Sequence, residues 1–485
     1  MPTLTSVLQH TAHQYRDNIA VLDSEVTYTW SEFIERVARA AGLLQNLGIN
    51  RGDRYAILAL NSYRQAELTY AGYWIGAIPV PINFRLAPPE IHDILEDAAC
   101  KTIAIDPQFI QLLEAPELRA WNDRSFYLYP AGENNDRNYD ALIANAVAVD
   151  PVDTLADEEA ILLYTGGTTG KSKGVPLTHG NILSNARQIG SVWPASSEDV
   201  VLHLPPMFHS AELVKTIYML NGAANVYLPR FEPELLLQTI EDYRVTFVLM
   251  VPIIIIVVLE SGLLDKYDLS SLKQMIYGAS PLPAPWIKKT FETFPGVQIA
   301  QGYGLTETAP LLTMLDHQSH VAALDSRNQK HLSSCGRPLS GVDIRIVNEQ
   351  DQILPPGSEG EIVVRGENVF KGYLDRPELN AEVFREDWFY TGDVGCIDED
   401  GYLYLKDRKH DVIMTGGEKV YSSEVEAVIY QHPDVLECAV IGIPDREYVE
   451  RVHAVVVTNA DSQLSEAELL DHCRKQIGGY KLPGK

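Results

Sequence analysis

The sequence predicts an α/β fold with a large N-terminal part and a smaller C-terminal one. Three observations carry this. Apolar, strand-like runs alternate with helical periods through the first two-thirds of the chain. From about residue 332 the pattern changes to short strands between Gly, Pro and Asp turns. The last stretch, 412–485, returns to mixed helix and strand, and 485 residues exceed what a single core fills. In order, 30–47 has a helical period, with Ser31 as its N-cap and Gly48 beyond its end. Strands at 54–60, 77–82 and 102–105 alternate with helices at 66–75 and 86–99, the rhythm of a parallel sheet covered by helices. A second round follows: a short buried strand at 160–164, helix 180–190, strand 200–204, helix 234–243, and strands 246–251 and 274–277. The runs 343–347, 361–364 and 402–405 form a small β unit. Beyond the charged stretch 406–411, helices at 423–430 and 465–477 alternate with strands at 435–441 and 452–457.

Composition removes several classes of function. There are 39 Lys+Arg against 66 Asp+Glu, a formal net charge of −27, which argues against nucleic-acid binding. A local basic pocket is still enough for ATP. The five cysteines, Cys100, Cys335, Cys396, Cys438 and Cys473, are widely spaced without a C-x-x-C pair. That gives no zinc signature and fits a reducing, cytoplasmic setting. The N-terminus has no charged segment followed by an apolar core, so no signal peptide is expected. The most apolar run, 247–259, is too short to span a bilayer and contains Pro252; it reads as a buried strand followed by a helix.

The stretch YTGGTTGKSKG, 164–174, is a candidate phosphate-binding loop. It misses the P-loop pattern, because Thr165 stands where the first Gly belongs. Gly174 and Pro176 also oppose a following helix, so the loop is expected between two extended segments. Gly166, Gly167 and Gly170 allow close backbone approach to an anion. Thr165, Thr168 and Thr169 offer hydroxyls, and Lys171 and Lys173 add positive charge. Taken alone, the same composition suits a flexible polar surface loop.

Two further segments complete a pattern. In QGYGLTETAP, 301–310, the Glu307 carboxylate lies between threonines beside a Gly-rich turn, which suits Mg²⁺ held against a phosphate, or simply a helix cap. In YTGDVGCIDEDGYLYLKDRKHD, 390–411, Asp393 sits in a Gly turn and can hold ribose hydroxyls, while Arg408 can pair with a phosphate. These stand in order with GDRYAILALNS, GAIPVPINFRL, LPPMFH, YGASPL, GRPLSG and AVIGIPD. Together they resemble the adenylate-forming superfamily of acyl- and aryl-CoA synthetases, firefly luciferase and peptide-synthetase adenylation domains, over almost the whole chain.

The resemblance implies a large N-terminal domain, 1–406, of two βα-layered subdomains and a small β-barrel near 332–406. It implies a hinge at 407–411 and a mobile α+β C-terminal domain, 412–485. The implied reaction activates a fatty or aryl acid with ATP as acyl-AMP, releasing pyrophosphate, then passes the acyl group to coenzyme A. The alternatives are transfer to an acyl-carrier-protein thiol, or a catalytically reduced member that only binds nucleotide. The implied roles are these. Thr165, Gly166, Gly167, Thr168, Thr169, Gly170, Lys171 and Lys173 hold the ATP phosphates. Gly278, Ala279 and Ser280 line the adenine pocket, and Tyr303, within Gln301, Gly302 and Gly304, stacks on the base. Glu307 binds Mg²⁺, and Thr306 lies near the α-phosphate. Asp393 and Arg408 hold the ribose. His209 borders the acyl pocket and the thiol route. Lys419, with Gly416 and Gly417, belongs to the loop that serves thioester formation. No nucleic acid and no integral membrane segment are expected, and a monomer or homodimer is.

Three features stand apart from the family pattern. His410 replaces the usual Asp or Lys of the hinge, and a tolerated exposed substitution is expected. The family's C-terminal Gly-Lys motif normally lies well beyond a segment like Tyr480-Lys481-Leu482-Pro483. Here Gly484-Lys485 follows at once: either the chain is truncated or that stretch is deleted, and Lys485 is not expected to carry the role at this spacing. Glu212 stands where a small residue is common; a structural pairing with Lys215 is favoured over direct reading of a substrate hydroxyl or amine. Peptide-synthetase domains carry Asp at the position of His209 to pair with an α-ammonium, so an ordinary amino acid is an unsuitable substrate.

Overall fold

The computed structural model describes residues 2–130, 136–166, 172–325, 329–409, 411–415, 418–445, 449–459 and 462–484. Its larger sheet has nine strands, in the order 337–338, 311–315, 298–304, 274–278, 247–250, 200–203, 224–227, 19–22 and 27–29. The six from 298–304 to 19–22 run parallel, and antiparallel strands close both edges. A second, four-stranded sheet, 78–81, 54–58, 103–105 and 125–127, is wholly parallel. Helices pack on these strands because their apolar residues recur with helical period. The helix Trp30–Asn46 buries Trp30, Phe33, Val37, Ala40, Ala41 and Leu44 on one face.

Element types follow the sequence reading, and the bounds move by a few residues. The first long helix is capped by Thr29 rather than Ser31: the Thr29 side chain accepts from the Glu32 amide while Glu32 returns a bond to the Thr29 amide. The apolar run divides into a strand, Phe247–Met250, and a helix, Pro252–Glu260, with Pro252 in the first helical turn. Among the described residues no helix is long and apolar enough to cross a membrane.

The strand Ile19–Leu22 inserts between Ala224–Tyr227 and Thr27–Thr29, and all three were missed in the sequence. One core consequently runs through both sheets, from Leu4 and Trp30 to Phe247 and Leu312. A five-stranded antiparallel sheet is built from 342–347, 360–366, 384–385, 388–397 and 403–408. A further four-stranded sheet, 418–420, 413–415, 449–458 and 435–445, packs its own small core of Ile413, Val420, Val425, Ile429, Val440 and Cys473.

Candidate active site

The candidate residues gather at the C-terminal ends of the parallel strands, where open α/β sheets place ligands. Strand Gln274–Gly278 ends in Gly278-Ala279-Ser280, with Ala279 at φ +70° and both Ala279 and Ser280 exposed. Its neighbour Gln298–Gly304 pairs Gly278 with Gly302. A Cβ on Gly278 would lie 2.4 Å from the Gly302 carbonyl oxygen, and one on Gly304 would lie 1.9 Å from that of Pro310. Gly is required at both positions because main chain meets main chain.

Thr306, Glu307 and Thr308 follow as one 3₁₀ turn. Glu307 is buried, and its main-chain oxygen accepts from the Phe370 amide. The Tyr373 hydroxyl donates to Glu307 Oε1 at 2.8 Å, and Lys173 Nζ stands 5.2 Å from the centre of the Tyr373 ring. Burial raises the Glu307 pKa, against the lowering pull of Tyr373, Arg408 and Lys173.

Asp393 lies in strand Trp388–Ile397 of the small β unit and reaches the same place. It accepts from the Tyr303 hydroxyl at 2.6 Å and pairs with Arg408 Nε at 2.9 Å. Burial raises its pKa, with Arg408 opposing. Gln301 is buried beneath this group, its side-chain oxygen accepting from the Tyr277 hydroxyl at 3.4 Å.

The candidate phosphate loop joins strands Glu159–Thr165 and Lys173–Thr178, an antiparallel hairpin, as the sequence implied. Thr165, Gly166 and Lys173 are described; Gly167, Thr168, Thr169, Gly170 and Lys171 lie outside the described residues. Asp97 braces the hairpin, accepting from the Tyr164 hydroxyl at 2.8 Å and from Arg376 at 2.6 Å.

His209 is exposed and caps the 3₁₀ helix Ser210–Lys215. Its Nδ1 accepts from the Ala211 amide at 3.2 Å, which places the proton of the neutral ring on Nε2. Partial desolvation lowers its pKa. The next residue, Ser210, accepts at Oγ from the Thr306 hydroxyl at 3.2 Å. Glu212 pairs with Lys215 at 2.7 Å, the structural partner expected, and also with His203 Nδ1 at 2.6 Å, which sequence reading missed. Burial pushes Glu212 up, but His203 and Lys215 outweigh it and hold the carboxyl at about 2.

Not every sequence-derived residue joins the cluster. Gly416, Gly417, His410 and Lys485 lie outside the described residues, and Lys419 is described only as a backbone partner of Met414. Sequence reading also passed over Tyr373, Asp97 and Arg376. These contacts join residues up to 279 positions apart, and no local spacing signals them.

Comparison with known proteins converges on this geometry. Residues 8–374 match the family described as AMP-binding enzyme, and residues 424–485 match the AMP-binding enzyme C-terminal domain. A feruloyl-CoA synthase of Amycolatopsis is 36% identical over 96% of this chain and 90% of its own length. A long-chain-fatty-acid–CoA ligase of Mycobacterium tuberculosis is 33% identical over 95% of this chain and 89% of its own. Among solved structures, o-succinylbenzoate CoA synthetase from Bacillus subtilis with its acyl-adenylate superposes with a TM-score of 0.86 at 28% identity, covering 100% of this chain and 94% of that one. ATP-bound MatB from Rhodopseudomonas palustris gives 0.88 at 30%, covering 99% and 94%. With family matches along most of its length and relatives of this kind, the chain belongs to the adenylate-forming AMP-binding enzymes and is an ATP-dependent acid–CoA ligase.

Proposed function

We propose that the cluster around Glu307, Tyr303 and Asp393 is the adenylation centre, and that it activates an aryl or fatty carboxylic acid. The observation that carries this is the convergence of two buried carboxylates, Glu307 from the 3₁₀ turn after strand Gln298–Gly304 and Asp393 from the small β sheet, beside Gly278 and Gly302. Nucleotide fits such a site. The glycines leave room for a flat base against Tyr303, and Asp393 supplies acceptors for two ribose hydroxyls once Tyr303 and Arg408 yield them. Magnesium fits Glu307, a carboxylate with one side-chain hydrogen bond among the described residues, from Tyr373. When bound, the cation offsets the phosphate charge that repels an incoming carboxylate.

In the first half-reaction a carboxylate oxygen of the acid bonds to the α-phosphorus, and the bond from that phosphorus to the pyrophosphate oxygen breaks. Lys173 and the 165–173 loop hold the departing phosphates, and Thr306 orients the α-phosphate with its hydroxyl. In the second, the thiol loses its proton to solvent, its sulfur bonds to the acyl carbon, and the acyl–oxygen bond breaks with AMP leaving as the phosphate anion. His209, at the mouth of the acid pocket, presents Nε2–H to that carbonyl. A neutral His209 cannot pair with an α-ammonium, which supports a plain organic acid. The names of the relatives, feruloyl-CoA and long-chain-fatty-acid–CoA enzymes, support the aryl and fatty classes.

We further assign 407–411 as the hinge between 1–406 and 412–485. Strand Leu403–Arg408 leaves the small β sheet there, and Asp407 accepts from the Ser422 amide at 2.6 Å at the start of the next helix.

The test is ATP–pyrophosphate exchange across aryl and fatty acids, with Glu307→Gln beside the parent. Acid-dependent exchange and AMP release, reduced about 10²-fold or more by the substitution, are expected. Exchange unaffected by Glu307→Gln would remove the assignment of this centre.

A further inference from the structure

A cavity of about 50 Å³ lies behind His209, between the 3₁₀ helix Ser210–Lys215, the helix Tyr63–Ile75 and strand Val200–His203. At three residues per turn, residues of a 3₁₀ helix three apart stack on one side. His209, Glu212 and Lys215 therefore form a row, roughly 12 Å long at about 2 Å per residue, running inward from the reacting centre. All three line the cavity.

The wall is largely apolar, from residues such as Leu4, Ile161, Leu163, Ile182, Met207 and Met219, and a few donors are set into it. The Lys215 side chain is 3% exposed, and its ammonium bonds Glu212 alone among the described residues, leaving N–H groups without an acceptor. The hydroxyls of Tyr70 and Tyr73, also in the lining, bond no described residue. The acceptors are already taken. Glu212 receives His203 on one oxygen and Lys215 on the other, and the Asn225 side-chain oxygen faces His203 Nε2 at 2.9 Å.

His203 is held at both ring nitrogens, between Glu212 and Asn225. Asn225 Nδ2 donates to the Ala20 carbonyl at 2.9 Å, which fixes its oxygen toward His203. Both nitrogens of His203 thus face oxygen atoms, so a proton must lie between Nδ1 and Glu212 Oε1. Burial lowers the His203 pKa and Glu212 is held at about 2, so the Glu212 carboxylate offsets the Lys215 ammonium.

We infer that this cavity receives the far end of the acid, and that the acid carries a hydrogen-bond-accepting oxygen there: hydroxyl, ether, carbonyl or carboxylate. The inference rests on the acid–CoA ligase reading and narrows it. A cavity of this size holds a few waters or one small oxygenated group. A plain hydrocarbon tail would displace those waters and leave buried N–H and O–H groups unpaired.

The experiment compares kcat/KM for acids of matched length ending in methyl, methoxy, hydroxyl or carboxylate. The oxygen-ended acids are expected to be preferred by about 10²-fold or more, since a site built to hydrogen-bond a substrate rejects the analogue lacking the partner. Lys215→Met should bring that ratio to within about threefold by removing the donor. Because it also strands Glu212, the paired Glu212→Gln/Lys215→Met variant is assayed alongside, with melting followed by circular dichroism. The hydroxyl and carboxylate arms separate a neutral acceptor from an anionic one. An equal or better rate with the methyl-ended acid overturns the inference, and the parent enzyme alone decides this. A Lys215→Met variant that slows every acid alike, with the ratio intact, makes the cluster a structural brace and overturns it too. Absence of exchange with any acid would instead strike at the ligase reading itself.

Discussion

Tyr373 shows how a functional carboxylate is held by a residue with no chemistry of its own to perform. Its hydroxyl fixes one Glu307 oxygen, and its ring faces Lys173, so it fixes the proposed cation-binding group in relation to the candidate phosphate loop. Tyr373→Phe is expected to raise the magnesium concentration for half-maximal exchange about tenfold while the fold persists, as losses of an outer partner to a metal ligand do; a magnesium titration with a melting curve checks both. Glu212 gives a stability prediction with a defined sign. Its folded pKa of about 2 lies below the ordinary 4.5, so its contribution is complete above pH 4.5 and disappears as the pH falls toward 2. Glu212→Gln should flatten the fall in unfolding free energy across that window, measured by urea titration at stepped pH. At pH 7 the substitution should cost about 3–5 kcal/mol, because Lys215 then stays buried without its counter-charge. Glu212 and Lys215, three apart, were legible as a pair in the sequence. His203 was not: its strand is brought against the 3₁₀ helix only by the tertiary fold, and nothing in the spacing marks an imidazole there as a partner rather than as ordinary strand filling.

Elements were more legible than contacts because periodicity is local. The strands and helices of both rounds, the hairpin around the phosphate loop and the division of 247–260 at Pro252 all follow from side-chain spacing, Gly and Pro. Caps proved less so: Thr29 and Ser31 are both plausible beside Trp30, and the reciprocal bond with Glu32 decides for Thr29. Strand partners were the least legible. Ile19–Leu22 is only four residues long, and its neighbour Ala224–Tyr227 lies some 200 residues away, beyond the reach of any pattern in the chain. The adjoining strands Gln274–Gly278 and Gln298–Gly304 make the element-scale prediction. Gly278→Ala puts a Cβ 2.4 Å from the Gly302 carbonyl, so the two strand ends must part. A loss of about 1–3 kcal/mol is expected from the overpacking, read as a lower melting temperature. Weaker ATP binding should accompany it, read by nucleotide titration.

At the scale of the whole molecule, the proposed hinge at 407–411 offers a way to separate the two half-reactions. The Lys409 amide donates to the Gly392 carbonyl at 2.8 Å, and the Lys409 ammonium pairs with Glu361 at 2.8 Å. Lys409→Pro removes the amide bond and fixes φ at the point of rotation. It is expected to slow thioester formation from preformed acyl-adenylate at least tenfold more than ATP–pyrophosphate exchange, since closure about a hinge gates such steps; equal slowing of both would place the hinge elsewhere. The two ends of the site also differ in what they are made of. Where the base would lie, Gly278 presents bare main chain, and a Cβ there collides with the Gly302 carbonyl oxygen of the neighbouring strand. Around the inner cavity Tyr70, Tyr73, His209, Glu212 and Lys215 stand among apolar side chains such as Ile161 and Met219. One half of the enzyme is thus written in backbone, which substitution cannot redraw without splitting the sheet, and the other in exchangeable letters. Descendants of this chain can drift from one acid to another, singly and gradually, while their appetite for the nucleotide stays fixed.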